Sequence, residues 1–151
     1  MMDIKDNILL PNYQKFANGG IINIPKSLST ALDYVGKLRI KIASPFQQVM
    51  NLSGGNQQKV IIAKWLLANP KILILDEPTR GIDVGAKYEI YNLMNQFVDQ
   101  GVGIVMISSE LPEILGMSDR ILVMQKGKIA GELMAEEATQ EKIMTLATGG
   151  R

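Results

Sequence analysis

The sequence predicts an α/β protein with parallel strands, and three features carry that expectation. Two short runs, Lys71–Leu75 and Val102–Ile107, are almost purely apolar, the pattern of strands covered on both faces. Between them, Gly85 to Gln100 repeats apolar residues at helical spacing. Strand, helix and strand in that order make a crossover unit, which is right-handed and places the helix on a face of the sheet.

In chain order, residues 1–50 are mixed and weakly patterned, with Gly19-Gly20 as a break. After Pro25, the residues Leu28, Ala31, Leu32 and Val35 share one helical face. Leu38, Ile40 and Ile42 alternate with Arg39 and Lys41, the pattern of a short extended piece. Ser53-Gly54-Gly55 opens a helix to about Ala68, with Ile62, Trp65 and Leu66 on one face. Asn69-Pro70 ends it, because the residue before a proline avoids the helical region. The run Lys71–Leu75 reads as a buried strand that stops at Asp76-Glu77-Pro78. In the next helix Ala86, Ile90, Leu93, Met94 and Phe97 form one stripe, and Gly101 supplies a C-cap. Val102–Ile107 is the second strand. Ile114 and Leu115 fall in a short helix with Pro112 in its first turn. Ile121–Met124 and Lys128–Leu133 form a hairpin around Lys126-Gly127, and a helix from Thr139 to about Ala147 closes the chain. Met94, Met106 and Met124 read as core filler rather than a binding surface. Lys126 and Lys128 read as solvated.

Composition excludes several function classes. The chain has 151 residues, 46% of them apolar and 21% charged, which is ordinary globular usage for one domain. Sixteen Lys+Arg against fifteen Asp+Glu leave a net charge of +1, which is no footprint for nucleic acid. Cysteine and histidine are both absent. That removes disulfides, thiolate nucleophiles, histidine bases and histidine metal sites. The densest apolar stretch, Val60–Ala68, is interrupted by Lys64 and falls far short of the roughly 20 residues of a membrane span. No signal-peptide pattern opens the chain, so a cytosolic compartment is expected and the sequon Asn51-Leu52-Ser53 is read as chance.

Two segments carry the chemistry. Leu52-Ser53-Gly54-Gly55-Asn56-Gln57-Gln58-Lys59 places a hydroxyl and two glycines at a helix start, where outward N–H groups and the helix dipole favour an anion. The alternative is that Ser53 only caps the helix. Ile72-Leu73-Ile74-Leu75-Asp76-Glu77-Pro78 places two adjacent acids at the carboxyl edge of a sheet, where open α/β folds bind ligands. One carboxylate suits a hydrated magnesium ion and its neighbour can orient or deprotonate a water. The alternative is that the acids merely end the strand.

Taken together, a glycine-opened helix leading into an apolar strand that ends in Asp-Glu resembles the ATP-binding cassette family. Leu52–Lys59 resembles its signature motif, Ile72–Glu77 its Walker B strand, and Gly81-Ile82-Asp83 its D-loop. Ile107-Ser108-Ser109-Glu110-Leu111 stands at its switch loop, and Ser118-Asp119-Arg120-Ile121 matches the strand start that follows. The Asn56-Gln57-Gln58 variant and the run Pro78–Ala86 resemble the second half of the fused-tandem subunits that drive bacterial monosaccharide import. The resemblance implies a partial P-loop NTPase (RecA-like) core over 70–151 and a helical signature subdomain over 1–69. It implies that Ser53, Gly54, Gly55, Asn56 and Gln57 bind ATP held on an opposing nucleotide-binding domain. Asp76 would act on Mg2+, Glu77 on the attacking water, Asp83 in coupling two sites while also capping a helix, and Ser109 at the switch position. The implied partners are the opposing domain, a transmembrane sugar permease touched by 1–50 and, indirectly, a sugar-binding receptor. The implied place is the inner face of the cell membrane.

A phosphate-gripping loop would read G-x-x-x-x-G-K-S/T. Gly36-Lys37 is followed by leucine and Gly127-Lys128 by isoleucine, so neither fits. The chain is therefore expected to be the C-terminal part of a larger protein and to be inactive alone. Ser109 also replaces the histidine that most of the family carries, so the site served by Glu77 is expected to be slow and the signature to be the stronger contribution. Other readings are a non-catalytic dimerisation or regulatory module, and the head domain of a recombination or chromosome-maintenance ATPase. Against the latter, no heptads precede the signature and the charge is only +1.

Overall fold

A computed structural model describes residues 2–18 and 20–150. Residue contacts divide the chain into two units that meet between Val105 and Met106.

The first unit is mostly helical. Helix α1, Ile4–Leu9, is capped by Asp3, whose side chain accepts from the Asp6 N–H. It packs on both α2, Ile24–Lys37, and α3, Gly54–Leu66, which is why Ile4, Ile8 and Leu9 are fully buried. Leu9, Phe16 and Ala31 form one cluster with Tyr13 and Leu67 at its margin. A two-residue antiparallel pair, β1 (Ala17–Asn18) and β2 (Ile21–Ile22), precedes α2. The alternation over Leu38–Ile42 survives as burial of Leu38 and Ile40 but not as a strand. Arg39 lies at φ 49°, a left-handed turn that breaks extended backbone.

Strand β3, Ile72–Asp76, and β4, Gly103–Ile107, pair in one sheet as parallel strands, with α4, Val84–Asp99, as the crossover. Ile90, Leu93, Met94 and Phe97 of α4 are buried as the stripe predicts, and Gly101 (φ 86°) follows its end. The expected double burial of both strands is corrected: in β3 Leu73 and Leu75 are buried but Ile72 is 63% and Ile74 67% exposed, and in β4 no residue is buried. Successive side chains of a strand point to opposite faces, and only one face of β3 is covered. Trp65 departs in the same way. It lies 47% exposed, off the buried stripe of Gly55, Lys59, Ile62 and Ala63.

In the second unit, α5 (Leu111–Met117) and α6 (Gln140–Thr148) cover a hairpin of β5 (Arg120–Gln125) and β6 (Lys128–Met134). Ile121, Val123 and Ile143 form its core. Lys126 and Gly127 both have positive φ, as a tight two-residue hairpin turn requires. Met124 points away from that core and is 59% exposed, so it is not filler there. Thr139 caps α6 by accepting from the Lys142 N–H, and the helix ends one residue beyond the expected Ala147.

Candidate functional site

Ser53 is the N-cap of α3 with extended backbone (φ −61°, ψ 154°), but its side chain accepts nothing from the helix backbone. The simple capping role is therefore not the one adopted. Instead the Ser53 Oγ accepts from Asn56 Nδ2 at 2.9 Å. Asn56 Oδ1 in turn accepts from the Lys41 N–H at 2.9 Å. Gln57 turns back along the chain, donating to the Leu52 carbonyl at 2.9 Å and to that of Met50 at 3.4 Å. Ser53 and Gly54 are exposed. The first N–H groups of a helix have no intrahelical acceptor, so those of Gly54, Gly55 and Asn56 are left without one, and the dipole adds positive potential at this end.

The glycines have a packing reason as well. A Cβ on Gly55 would lie 2.6 Å from the Ala86 Cβ, and one on Gly54 would lie 3.2 Å from the Ile82 Cγ2. The amino end of α3 therefore sits directly against the 81–86 segment. That segment is shaped locally. Gly81 has φ 74°, and Asp83 caps α4 by accepting from the Ala86 N–H at 2.9 Å. Signature and D-loop candidates are thus brought together within one unit.

Asp76 is exposed at the carboxyl end of β3, and Glu77, half-buried, follows at φ 47°. A non-glycine residue held there stores strain of order 1–3 kcal/mol. The strain belongs to a tight turn in which the Arg80 N–H donates to the Glu77 carbonyl at 3.2 Å and Pro78 and Thr79 are buried. Ser109 belongs to the other unit, where it is exposed. Its neighbour Ser108 accepts the Glu110 N–H through Oγ at 3.0 Å.

Among the described residues no group of three or more acidic side chains could hold a metal. Asp76 alone is a hard oxygen donor at a sheet edge. That fits a hydrated magnesium ion shared with phosphates, which needs only one or two carboxylates, and not an all-protein cage.

One feature escaped sequence reasoning. Lys59 is only 3% exposed. Its Nζ pairs with Glu89 Oε2 at 2.7 Å and donates to the Arg39 carbonyl at 3.2 Å. The Lys59 hydrogen bond holds the Glu89 carboxyl below the ordinary glutamate value. This cation ties α3 to α4 and to the Arg39 turn. Its signal was present in the spacing, since Gly55, Lys59, Ile62 and Ala63 form one helical stripe and the lysine stands inside it.

The family model described as ABC transporter matches residues 2–80. A xylose import ATP-binding protein of Thermoanaerobacter pseudethanolicus is 64% identical over 151 residues, all of this chain and 30% of the relative. A ribose import ATP-binding protein of Bacillus subtilis is 60% identical over 148 residues, 98% of this chain and again 30% of the relative. The chain therefore spans about a third of the length of these relatives. Among solved structures, a dimeric ATP-binding cassette in a post-hydrolysis state with ADP and phosphate superposes with a TM-score of 0.75. It is 24% identical, covering 89% of this chain and 57% of that one, a likeness of fold.

Proposed function

The chain belongs to the ABC transporter family, and on that premise we propose that it is part of an ATPase subunit that drives sugar import. The single observation that carries the reading is the exposed amino end of α3 set against the D-loop segment through the Gly55–Ala86 approach. In this reading the phosphate it meets is brought by another nucleotide-binding domain.

In this reading the Ser53 hydroxyl and the N–H groups of Gly54, Gly55 and Asn56 bind the terminal phosphate of ATP held on the opposing domain. They add fixed dipoles where charge builds up during phosphoryl transfer. Gln57, with its amide turned back on the chain, shapes the turn. Asp76 holds the hydrated Mg2+ that neutralises phosphate charge. Glu77 orients the attacking water and takes its proton. Ser109 offers a hydroxyl, not a titrating ring, at the switch position. Asp83 links the two composite sites, its carboxylate already fixed by the Ala86 N–H. Residues 1–69 form the helical signature part and 70–151 the core part. No G-x-x-x-x-G-K-S/T segment occurs in the sequence, so the loop and lysine that grip ATP come from other parts of the assembly.

The relatives are xylose and ribose import ATP-binding proteins, which supports a sugar as cargo; a membrane permease and a sugar-binding receptor as partners, and the inner membrane face as the workplace, complete the proposed reading. No helix among the described residues is long and apolar enough to cross a membrane. The test is a chimera of the Thermoanaerobacter relative in which this chain replaces its matching segment. Ser53→Arg removes most ATP-driven xylose uptake into vesicles, and Glu77→Gln lowers it less, as the family resemblance implies for a chain with Ser109 where most members carry histidine. Unchanged uptake with Ser53→Arg refutes the reading, and a larger loss with Glu77→Gln reverses the assignment of the stronger site.

A further inference from the structure

We propose that Asn56 is a positioning residue that fixes the Ser53 hydroxyl as a hydrogen-bond donor toward its ligand. The inference rests on the reading of Ser53 as a phosphate contact and adds how that contact is oriented. The chain of hydrogen bonds has only one polarity. A backbone N–H can only donate, so the Asn56 atom facing Lys41 N at 2.9 Å is the carbonyl Oδ1. The other end of the same amide must then be the NH2 group, and it faces Ser53 Oγ at 2.9 Å. An NH2 group has no lone pair to offer, so the hydroxyl can only accept from it. The Ser53 proton is left to point elsewhere.

Since the Ser53 side chain accepts no backbone N–H of its own helix, its position is set by Asn56. A hydroxyl held as an acceptor on one side and free to donate on the other is matched to an anion and mismatched to a cation. The backbone of Lys41, fifteen residues before Asn56, thus helps set the proton direction at the site, which no motif pattern would show.

Carboxylate substitution inverts the relay with little change in shape. In Asn56→Asp one oxygen still accepts from Lys41, and the other becomes an acceptor that captures the Ser53 proton. The experiment is ATP hydrolysis by the chimera defined above, in a double-mutant cycle with Ser53→Ala. Removing a hydrogen bond to a charged phosphate is worth about tenfold or more, so Ser53→Ala lowers turnover by at least that factor. Asn56→Ala lowers it several-fold when Ser53 is present and less than about twofold when Ser53 is already alanine, as expected for groups that act as one unit. Asn56→Asp costs more than Asn56→Ala when Ser53 is present, with the thermal midpoint held, and most of that excess vanishes beside Ser53→Ala. Losses that multiply independently, or an Asn56→Asp enzyme as active as the parent, overturn the proposal. A Ser53→Ala enzyme of full activity overturns the functional reading itself, which is a separate outcome.

Discussion

Gly55 can be read as a place where the backbone must approach a phosphate or as a place where two helices must approach each other. Gly55→Ala separates the readings. The added Cβ would lie 2.6 Å from the Ala86 Cβ, whereas carbon atoms rest at about 3.5–4.0 Å, so α3 and α4 must part by roughly 1 Å. Overpacking of this kind costs about 1–3 kcal/mol. The better helix propensity of alanine returns at most about 1 kcal/mol in a helix interior and less in a first turn. The net expectation is a loss of about 1–2 kcal/mol. The partner substitution Ala86→Gly removes the obstructing atom, since the next atom of residue 86, its Cα, is 3.8 Å away. By itself Ala86→Gly, also in a first turn, costs less than about 1 kcal/mol of helix stability. The double substitution should then cost little more than Ala86→Gly alone. The assay is urea denaturation of the chain followed by Trp65 fluorescence. Trp65 is the sole tryptophan and stands on the same helix as Gly55. A Gly55→Ala chain as stable as its parent, or two losses that simply add, would show that helix approach is not why a glycine stands there.

Two further predictions concern stability. Glu89→Gln should destabilise the chain by about 1–2 kcal/mol at pH 7, because buried Lys59 loses its counter-charge while Glu89 itself is half exposed and screened. The folded pKa of Glu89 is depressed below 4.5 by the Lys59 hydrogen bond. The stabilisation is therefore complete above about 4.5 and is lost as pH falls through the depressed value. Denaturation of parent and Glu89→Gln at several pH values should show their difference shrinking below pH 4.5, and a difference independent of pH contradicts it. At Glu77, held at φ 47°, glycine should give a chain about 1 kcal/mol more stable than alanine, the reverse of the usual order. Denaturation midpoints of Glu77→Gly and Glu77→Ala decide it, and alanine at or above glycine would mean that the turn is not strained.

Much of the architecture was legible because local signals and tertiary demands agreed. Asp83 and Thr139 are good caps in sequence and are caps in the structure. Ile90, Leu93, Met94 and Phe97 share a face and are buried together. Lys126-Gly127 stands between two apolar runs and turns as expected. What was not legible depends on partners distant in sequence. The pure apolar run of β3 implies cover on both faces, yet Ile72 and Ile74 stay exposed because cover is a property of neighbours. Helix α1 is too short for periodicity to register, and Ile4 and Ile8 become core only when α2 and α3 close on them. Lys59 ends the Leu52–Lys59 run, and nothing local in the sequence says that a carboxylate thirty residues away meets it. For the site, Ser53 and Gly54 were expected from residue type and spacing, and Asp83 from the family resemblance of Gly81-Ile82-Asp83. The Lys41–Asn56–Ser53 relay required coordinates, because its first member is a backbone N–H and carries no sequence signal.

The most direct test of the central claim is amide hydrogen exchange over residues 52–58 in the chimera carrying Glu77→Gln, with and without ATP and Mg2+. The Gly54, Gly55 and Asn56 N–H groups lack intrahelical acceptors and should exchange fast without nucleotide. If the exposed turn closes on a phosphate carried by another domain, their exchange slows markedly when ATP is bound. Exchange at these amides that does not change with ATP, while the rest of the chimera shows nucleotide binding, contradicts it.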